Sequence, residues 1–223
     1  MNAFLVLTLA GLTALTNWFI VAQQWTIGDW ITKPGVILGL IASLLLLPCR
    51  DHLVIWMVLG LSLSMAGDIF LLLPQRFFLP GLGAFLGAHI AYIIAFNRVP
   101  PPLNTAVILF VIATITVTSL FYLRLYQALK KGEQNKYLLP TLLYAISIAG
   151  MLVSSLSNLA RPEWSLPSSL LVSCGGLSFF LSDAVLAWHR FINPIAHRNL
   201  KVRLTYHLGQ ICLVGGVMLQ SLP

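Results

Sequence analysis

Eight apolar runs follow one another along the chain, and short stretches between them hold most of its charged residues. A helix needs roughly 20 apolar residues to cross the hydrocarbon core of a bilayer. We therefore predict eight membrane-spanning helices in a single transmembrane domain covering residues 1–223, with a count of seven as the alternative. The predicted spans are 3–22, 31–47, 53–73, 79–96, 105–123, 138–157, 168–188 and 204–219.

The composition supports an all-α, polytopic membrane bundle. Hydrophobic residues make up 58% of the chain and charged residues only 9%, whereas a water-soluble domain carries about 25% charged residues. A net charge of +7 would suggest nucleic acid as the partner of a soluble protein. Here the charges lie between apolar runs, where lipid headgroups would be, so we expect a lipid bilayer and no nucleic acid.

The distribution of lysine and arginine predicts the orientation of the helices. The second, fourth and sixth connections hold only Arg50, Arg98 and Arg161. The odd-numbered connections and their borders hold Lys33, Arg76, Arg124, Lys130, Lys131, Lys136, Arg190, Arg198, Lys201 and Arg203. Because positive loops stay in the cytoplasm, we predict cytoplasmic odd connections and two non-cytoplasmic termini. A bacterial inner membrane is favoured over an endoplasmic reticulum membrane, because no retention signal is visible in the sequence.

Two aspartates lie inside predicted spans, where an ionisable group is costly and usually faces a cavity or a partner. Asp68 and Asp183 each lie five residues before the end of their spans, at 73 and 188. At 1.5 Å per residue, this puts both roughly 8 Å inside the cytoplasmic boundary. The pair therefore predicts a polar pocket that opens toward the cytoplasm.

Other polar residues of the spans are predicted to lie near this pair. His89 falls near the middle of the fourth span, while six more lie close to the cytoplasmic ends of theirs, namely Asn17, Lys33, Tyr144, Tyr206, His207 and Gln210. The sequence also leaves open purely structural roles for these residues. A buried aspartate can tether helices, His89 can make a structural hydrogen bond, and Lys33 and His207 can be interfacial anchors. Asp29 and Asp51 are interpreted as loop residues.

Motifs for familiar chemistry are missing from the sequence. It has no Walker A loop, HExxH or GxSxG, and no catalytic Cys/His or metal-binding Cys/His signature. ATP-driven transport and the usual serine or zinc hydrolases are therefore not favoured. We expect no metal and no cofactor.

Several short motifs, in order, resemble the YhhN-like membrane proteins, a family that includes the mammalian lysoplasmalogenases. They are Lys33-Pro34, Gly67-Asp68, Phe85 to His89 to Tyr92, Ser182-Asp183-Ala184-Val185-Leu186-Ala187, and Tyr206 near Gln210. The resemblance implies eight helices and hydrolysis of the vinyl-ether bond of lysoplasmalogens. The products would be a fatty aldehyde and glycerophosphocholine or glycerophosphoethanolamine.

Paired carboxyl groups suit that reaction. One would protonate the vinyl ether, and the other, ionised, would stabilise the oxocarbenium-like cation and activate water. We predict Asp68 and Asp183 as this pair, with the acid unassigned, and a lysophospholipid as substrate. The supporting residues would be Asn17, Lys33, His89, Tyr92, Tyr144, Ser182, Tyr206, His207 and Gln210.

Two other classes of function stay open. A proton-coupled transporter could use the same aspartates as a proton relay. A non-catalytic lipid-binding or assembly protein would tolerate their loss. The sequence also leaves open whether the protein forms a homo-oligomer.

Overall fold

A computed structural model describes residues 2–48 and 50–221. Eight α-helices account for most of this part of the chain. They are α1 (Ala3–Ala22), α2 (Thr26–Leu45), α3 (His52–Leu72), α4 (Phe78–Phe96), α5 (Thr105–Lys131), α6 (Leu138–Ser157), α7 (Leu166–Phe191) and α8 (Arg198–Gln220). Each is long and apolar enough to cross a membrane, which confirms the predicted all-helical class.

Polar side chains cap four of the helices at their first turn. Asn2, Asp51, Asn104 and Ser165 each accept a hydrogen bond from a backbone N–H of α1, α3, α5 and α7, respectively. Such caps satisfy donors that have no partner inside the helix. Asp51 therefore lies outside the helical core of the chain, as its interpretation as a loop residue requires.

Most successive helices pack as neighbours, except that α4 packs against α6 rather than against α5, and α8 lies near the middle of the bundle. The pairs α1/α2, α3/α4 and α7/α8 are in extensive contact, and α8 also touches α1, α2 and α3. Helix α5 lies at the edge, against α6 and α7. Its outer face exposes residues such as Leu120 and Leu123, at 61% and 56%, as expected for a surface that meets lipid tails.

The second helix departs from its predicted span of 31–47. Helix α2 begins at Thr26 and ends at Leu45, so Asp29 lies in its first turn and Pro34 in its interior. The interpretation of Asp29 as a loop residue was therefore wrong. The helix tolerates the charge of Asp29 because two side chains bind its carboxylate. Arg203 donates to the Asp29 carboxylate at 2.8 Å, and Asn17 donates to it at 2.9 Å.

Three other helices extend past their apolar runs. Helix α5 continues from 123 to Lys131, α7 ends at Phe191 and α8 begins at Arg198. Because α7 is longer than its span, Asp183 lies further from its helix end than Asp68 does. The two aspartates nevertheless lie at the same end of the bundle, the end formed by the odd-numbered connections.

Candidate active site

Asp68 is held in a closed ion pair. Lys33 Nζ, from α2, lies 2.6 Å from Asp68 Oδ1, and both side chains are 2% exposed. Tyr206, from α8, donates a hydrogen bond to Asp68 Oδ2 at 2.8 Å. A buried carboxylate is tolerated when a counter-charge and hydrogen bonds replace its lost water. Each oxygen of Asp68 therefore has a polar partner.

A chain of polar side chains holds Tyr206 in place. Gln210 Nε2 lies 3.4 Å from the Tyr206 hydroxyl, and the Tyr92 hydroxyl donates to Gln210 Oε1 at 2.9 Å. Ser64 lies 3.5 Å from the Tyr92 hydroxyl. All four side chains are buried, so the network orients the Tyr206 hydroxyl group that donates a hydrogen bond to Asp68.

Asp183 has a different set of partners. Tyr144, from α6, donates to Asp183 Oδ2 at 2.5 Å. His89 Nε2, from α4, lies 3.7 Å from the same oxygen, and the Asp183 side chain keeps 13% of its surface exposed. Within the described residues, no lysine or arginine forms a salt bridge with Asp183. Its direct partners are therefore a tyrosine hydroxyl and a histidine ring.

The hydrogen bonds of Ser147 determine the tautomer of a neutral His89. The Ser147 hydroxyl donates to the Tyr144 carbonyl at 2.9 Å, and His89 Nδ1 lies 3.3 Å from Ser147 Oγ. With its proton committed, Ser147 accepts from Nδ1–H. The lone pair of His89 Nε2 then points toward Asp183, and that nitrogen has no hydrogen-bond partner.

Both aspartates line one polar cavity of about 340 Å³. Its wall combines charged side chains with the ends of α3 and α8. The lining residues are Asp29, Trp30, Lys33, Asp68, Phe70, Leu71, Leu72, Leu73, Pro74, Gln75, Phe78, Phe85, Ser182, Asp183, Leu186, Arg190, Arg198, Asn199, Val202, Arg203 and Tyr206.

A smaller, apolar cavity of about 70 Å³ adjoins it between α4, α5, α6 and α7. Asp183 lines both cavities, whereas Asp68 lines only the polar one. The apolar cavity is bounded by Leu71, Phe78, Leu82, Phe85, Thr118, Phe121, Tyr122, Leu125, Thr141, Tyr144, Ala145, Ile148, Phe180, Asp183, Ala184, Leu186, Ala187, Arg190 and Phe191. Asp183 is thus the carboxyl group at the boundary between polar and apolar space.

Besides Tyr92 and Gln210, which act through Tyr206, three predicted site residues hydrogen-bond to neither aspartate. Ser182 lines the polar cavity and donates to the Val202 carbonyl at 3.1 Å, which joins α7 to α8. Asn17 donates to Asp29 and to Thr32 at 2.8 Å. His207 Nδ1 accepts from Trp18 Nε1 at 3.2 Å. Asn17 and His207 therefore pack α1 against α2 and α8, behind the cavities.

The sequence argument missed three arginines of the polar cavity, Arg190, Arg198 and Arg203, because it used them only for orientation. A signal was available for Arg190, which follows Asp183 by seven residues. Residues with this spacing share one face of a helix. Phe179 was missed as well, although its ring lies 5.1 Å from His89 and 5.3 Å from Tyr206. The Phe179 ring thus lies between His89, which neighbours Asp183, and Tyr206, which binds Asp68.

The sequence profile of the YhhN family matches residues 28–217. The chain belongs to the YhhN family. All predicted site residues except Asn17 lie inside this match. Asn17 is also one of the residues that hydrogen-bond to neither aspartate.

Similar proteins in mammals carry the name lysoplasmalogenase. The human protein lysoplasmalogenase TMEM86B is 30% identical over 164 residues, which cover 74% of this chain and 64% of that one. The pig protein of the same name is 32% identical over 154 residues, covering 69% and 59%. Human lysoplasmalogenase TMEM86A is 28% identical over 153 residues, covering 68% and 60%.

The YhhN-family chain thus spans less than two thirds of the length of these relatives. No solved structure matches it significantly.

Proposed function

We propose that this protein hydrolyses the vinyl-ether bond of lysoplasmalogens, releasing a fatty aldehyde and glycerophosphocholine or glycerophosphoethanolamine. The observation that carries the proposal is the position of Asp183 between an apolar cavity and a polar cavity that also holds Asp68. A lysoplasmalogen has its vinyl ether at the same kind of boundary, between an alkyl chain and a polar glycerophosphate. The names of the mammalian relatives support the same reaction.

Asp183 is the proton donor in this proposal. Its Oδ2 accepts from Tyr144, so Oδ1 is free to carry a proton into the cavity. Apolar surroundings and the absence of a cationic partner favour a neutral carboxyl group. Transfer of this proton to the β carbon of the vinyl ether forms a C–H bond and leaves an oxocarbenium cation on the α carbon.

Asp68 acts as the ionised partner. Its pairing with Lys33 and Tyr206 keeps it negatively charged, so it can stabilise the cation and take a proton from the attacking water. Water adds to the α carbon to give a hemiacetal. When that intermediate collapses, its hydroxyl proton returns to Asp183, the bond to the glycerol oxygen breaks, and that oxygen takes the proton held by Asp68.

The remaining polar residues orient the pair. Tyr144 fixes the Asp183 carboxyl group, and His89 Nε2 lies close enough to exchange a proton with it through a small adjustment from 3.7 Å. Lys33, Tyr206, Gln210 and Tyr92 set the position and charge of Asp68. We place this end of the bundle on the cytoplasmic side of a bacterial inner membrane, following the lysine and arginine bias.

The test is aldehyde release from an alkenyl lysophospholipid by the purified protein. We expect activity in the wild type and a loss of about 10²- to 10⁴-fold in Asp68→Asn and in Asp183→Asn, the range for removal of an acid or base. Asp51→Asn is the matched control, because Asp51 caps α3 outside both cavities and asparagine caps equally well. An inactive wild type, or two fully active cavity variants, contradicts the proposal. Substrate-dependent proton flux without a product would support the transporter instead.

A further inference from the structure

Two cations of the polar cavity have no carboxylate partner among the residues that the structure describes. Its lining contains four cations and three carboxylates. Lys33 is paired with Asp68 at 2.6 Å, and Arg203 with Asp29 at 2.8 Å. These pairs leave Arg190 and Arg198 as the cations that face the cavity without a carboxylate partner in the described part of the chain.

Arg190 is held in a way that leaves its donors for a ligand. Its guanidinium carbon lies 3.6 Å from the centre of the Phe78 ring, and the Tyr137 and Phe191 rings are also near. Its Nε is buried and has no hydrogen-bond partner. Aromatic contact fixes the plane of a guanidinium group but accepts none of its in-plane hydrogen bonds. A buried group of this kind is costly unless an anion joins it.

The spacing from Asp183 sets where that anion lies in the ligand. Arg190 follows Asp183 by seven residues on α7, a rise of about 10 Å, and its side chain leans back toward the helix N-terminus. In a glycerophospholipid the glycerol unit places the phosphorus about 7 Å from the ether carbon when extended, at roughly 1.2 Å per bond. The two separations are compatible.

We propose that Arg190 and Arg198 bind the phosphate group of an alkenyl lysophospholipid. This subsite rests on the proposed function, since it uses Asp183 as the position of the vinyl ether. A phosphate diester offers oxygens to two guanidinium groups at once, with two parallel hydrogen bonds to each as the strongest arrangement. A fatty acid does not fit, because its carboxylate follows the chain directly and would lie beside Asp183 rather than at Arg190.

The experiment measures binding, not turnover. The probe is a saturated 1-O-alkyl-glycerophosphocholine, which lacks the vinyl group, titrated calorimetrically into the purified full chain in detergent. The 1-O-alkylglycerol of the same chain length and inorganic phosphate are the comparison probes. The variants are Arg190→Gln and Arg198→Gln. Arg124→Gln is the matched control, because Arg124 is exposed on α5 and lines neither of the two cavities.

We expect Arg190→Gln and Arg198→Gln each to bind the phosphate-bearing ether about tenfold more weakly, the usual effect of losing hydrogen bonds to a charged group. Arg124→Gln should bind it like the wild type. All variants should bind the alkylglycerol equally, which shows that the fold is intact. Arg190→Lys, which keeps the charge but not the planar fork, should fall between wild type and glutamine.

Three results overturn the subsite: unchanged binding in both glutamine variants, alkylglycerol binding as tight as that of the phosphate-bearing ether, or inorganic phosphate binding as tightly as the lipid. Failure of the hydrolase proposal is a separate result. A wild type that binds the ether through phosphate but releases no aldehyde keeps the subsite and loses the hydrolase. Equal aldehyde release from an alkenylglycerol and an alkenyl-glycerophosphocholine keeps the hydrolase proposal and contradicts the phosphate subsite.

Discussion

Asp68 and Asp183 line the same cavity, but their surroundings differ. Asp68 meets a lysine at 2.6 Å and a tyrosine hydroxyl at 2.8 Å, and its side chain is almost completely buried. Asp183 meets a tyrosine hydroxyl and a histidine ring, and it borders apolar space. Two residues of one type at one end of the bundle therefore have different electrostatic partners.

This difference distinguishes the roles of the two aspartates as acid and as anion, which their residue type alone does not. A carboxyl group beside a lysine is stabilised as an anion, whereas one among neutral groups is stabilised as an acid. Vinyl-ether hydrolysis needs one of each, as the comparable cation does in glycoside hydrolysis. Under the proposed function, the asymmetry between the two aspartates is the basis of catalysis, and removing it should have measurable consequences.

The largest expected effect is a split in stability between the two asparagine variants. Asp68→Asn leaves Lys33 buried without a counter-charge, a change that costs about 3–5 kcal/mol. Asp183→Asn removes a group without a cationic partner and should cost less than about 1 kcal/mol. Thermal unfolding in one detergent, followed by circular dichroism, measures both.

The double variant Lys33→Met with Asp68→Asn sharpens this test. It removes both charges, so it should recover most of the stability that Asp68→Asn loses, but no activity. Equal unfolding temperatures for Asp68→Asn and Asp183→Asn would contradict the contrast between the two sites.

The next effect concerns the hydroxyl that orients Asp183. Tyr144→Phe removes the hydrogen bond to Asp183 Oδ2 and keeps the ring that lines the apolar cavity. We expect kcat to fall on the order of tenfold, the equivalent of one hydrogen bond to a charged or transferring group. The measurement is the initial rate of aldehyde release at saturating substrate.

Tyr122→Phe is the matched control for this variant. Tyr122 lines the same cavity, but its hydroxyl donates to the Leu138 carbonyl at 2.9 Å. Its loss should leave kcat within about twofold of wild type. If the two phenylalanine variants lost activity equally, Tyr144 would be a packing residue only.

The sequence predicted the fold well because long apolar runs are a local signal. Eight runs became eight α-helices in the part of the chain that the structure describes, and the prediction that Asp68 and Asp183 share a polar pocket followed from the cost of charge in lipid. The error at α2 has a non-local cause, since the charge of Asp29 is tolerated in that helix through Arg203, 174 residues away. No pattern within the run 26–45 carries that information.

The roles within the site were out of reach for the same reason. Lys33, Asp68 and Tyr206 come from α2, α3 and α8, and their contacts depend on how those helices rotate. Asp68 and Asp183 lie at similar depths in their predicted spans, so the sequence made them look equivalent. Helix packing decides that Asp68 forms an ion pair with Lys33, whereas Asp183 pairs with no lysine or arginine among the described residues. Depth also grouped Asn17 and His207 with the two aspartates. The side chain of Asn17 bonds to Thr32 of α2, however, and that of His207 bonds to Trp18 of α1.

The smallest expected effect concerns the apolar cavity beside Asp183, which Asp68 does not touch. Thr118 lines that cavity from α5, so Thr118→Ile, which replaces the hydroxyl by an ethyl group and so adds one heavy atom, should take up room for about one methylene group of the alkyl chain. At roughly 0.8 kcal/mol per methylene, kcat/KM for a long-chain substrate should fall about fourfold. A substrate whose chain is short enough to leave that space empty should be unaffected. Thr116→Ile, on the exposed face of α5, is the control and should behave like wild type. An equal loss for long and short chains would mean that the alkyl chain lies elsewhere, and Asp183 would then no longer mark the boundary between headgroup and chain.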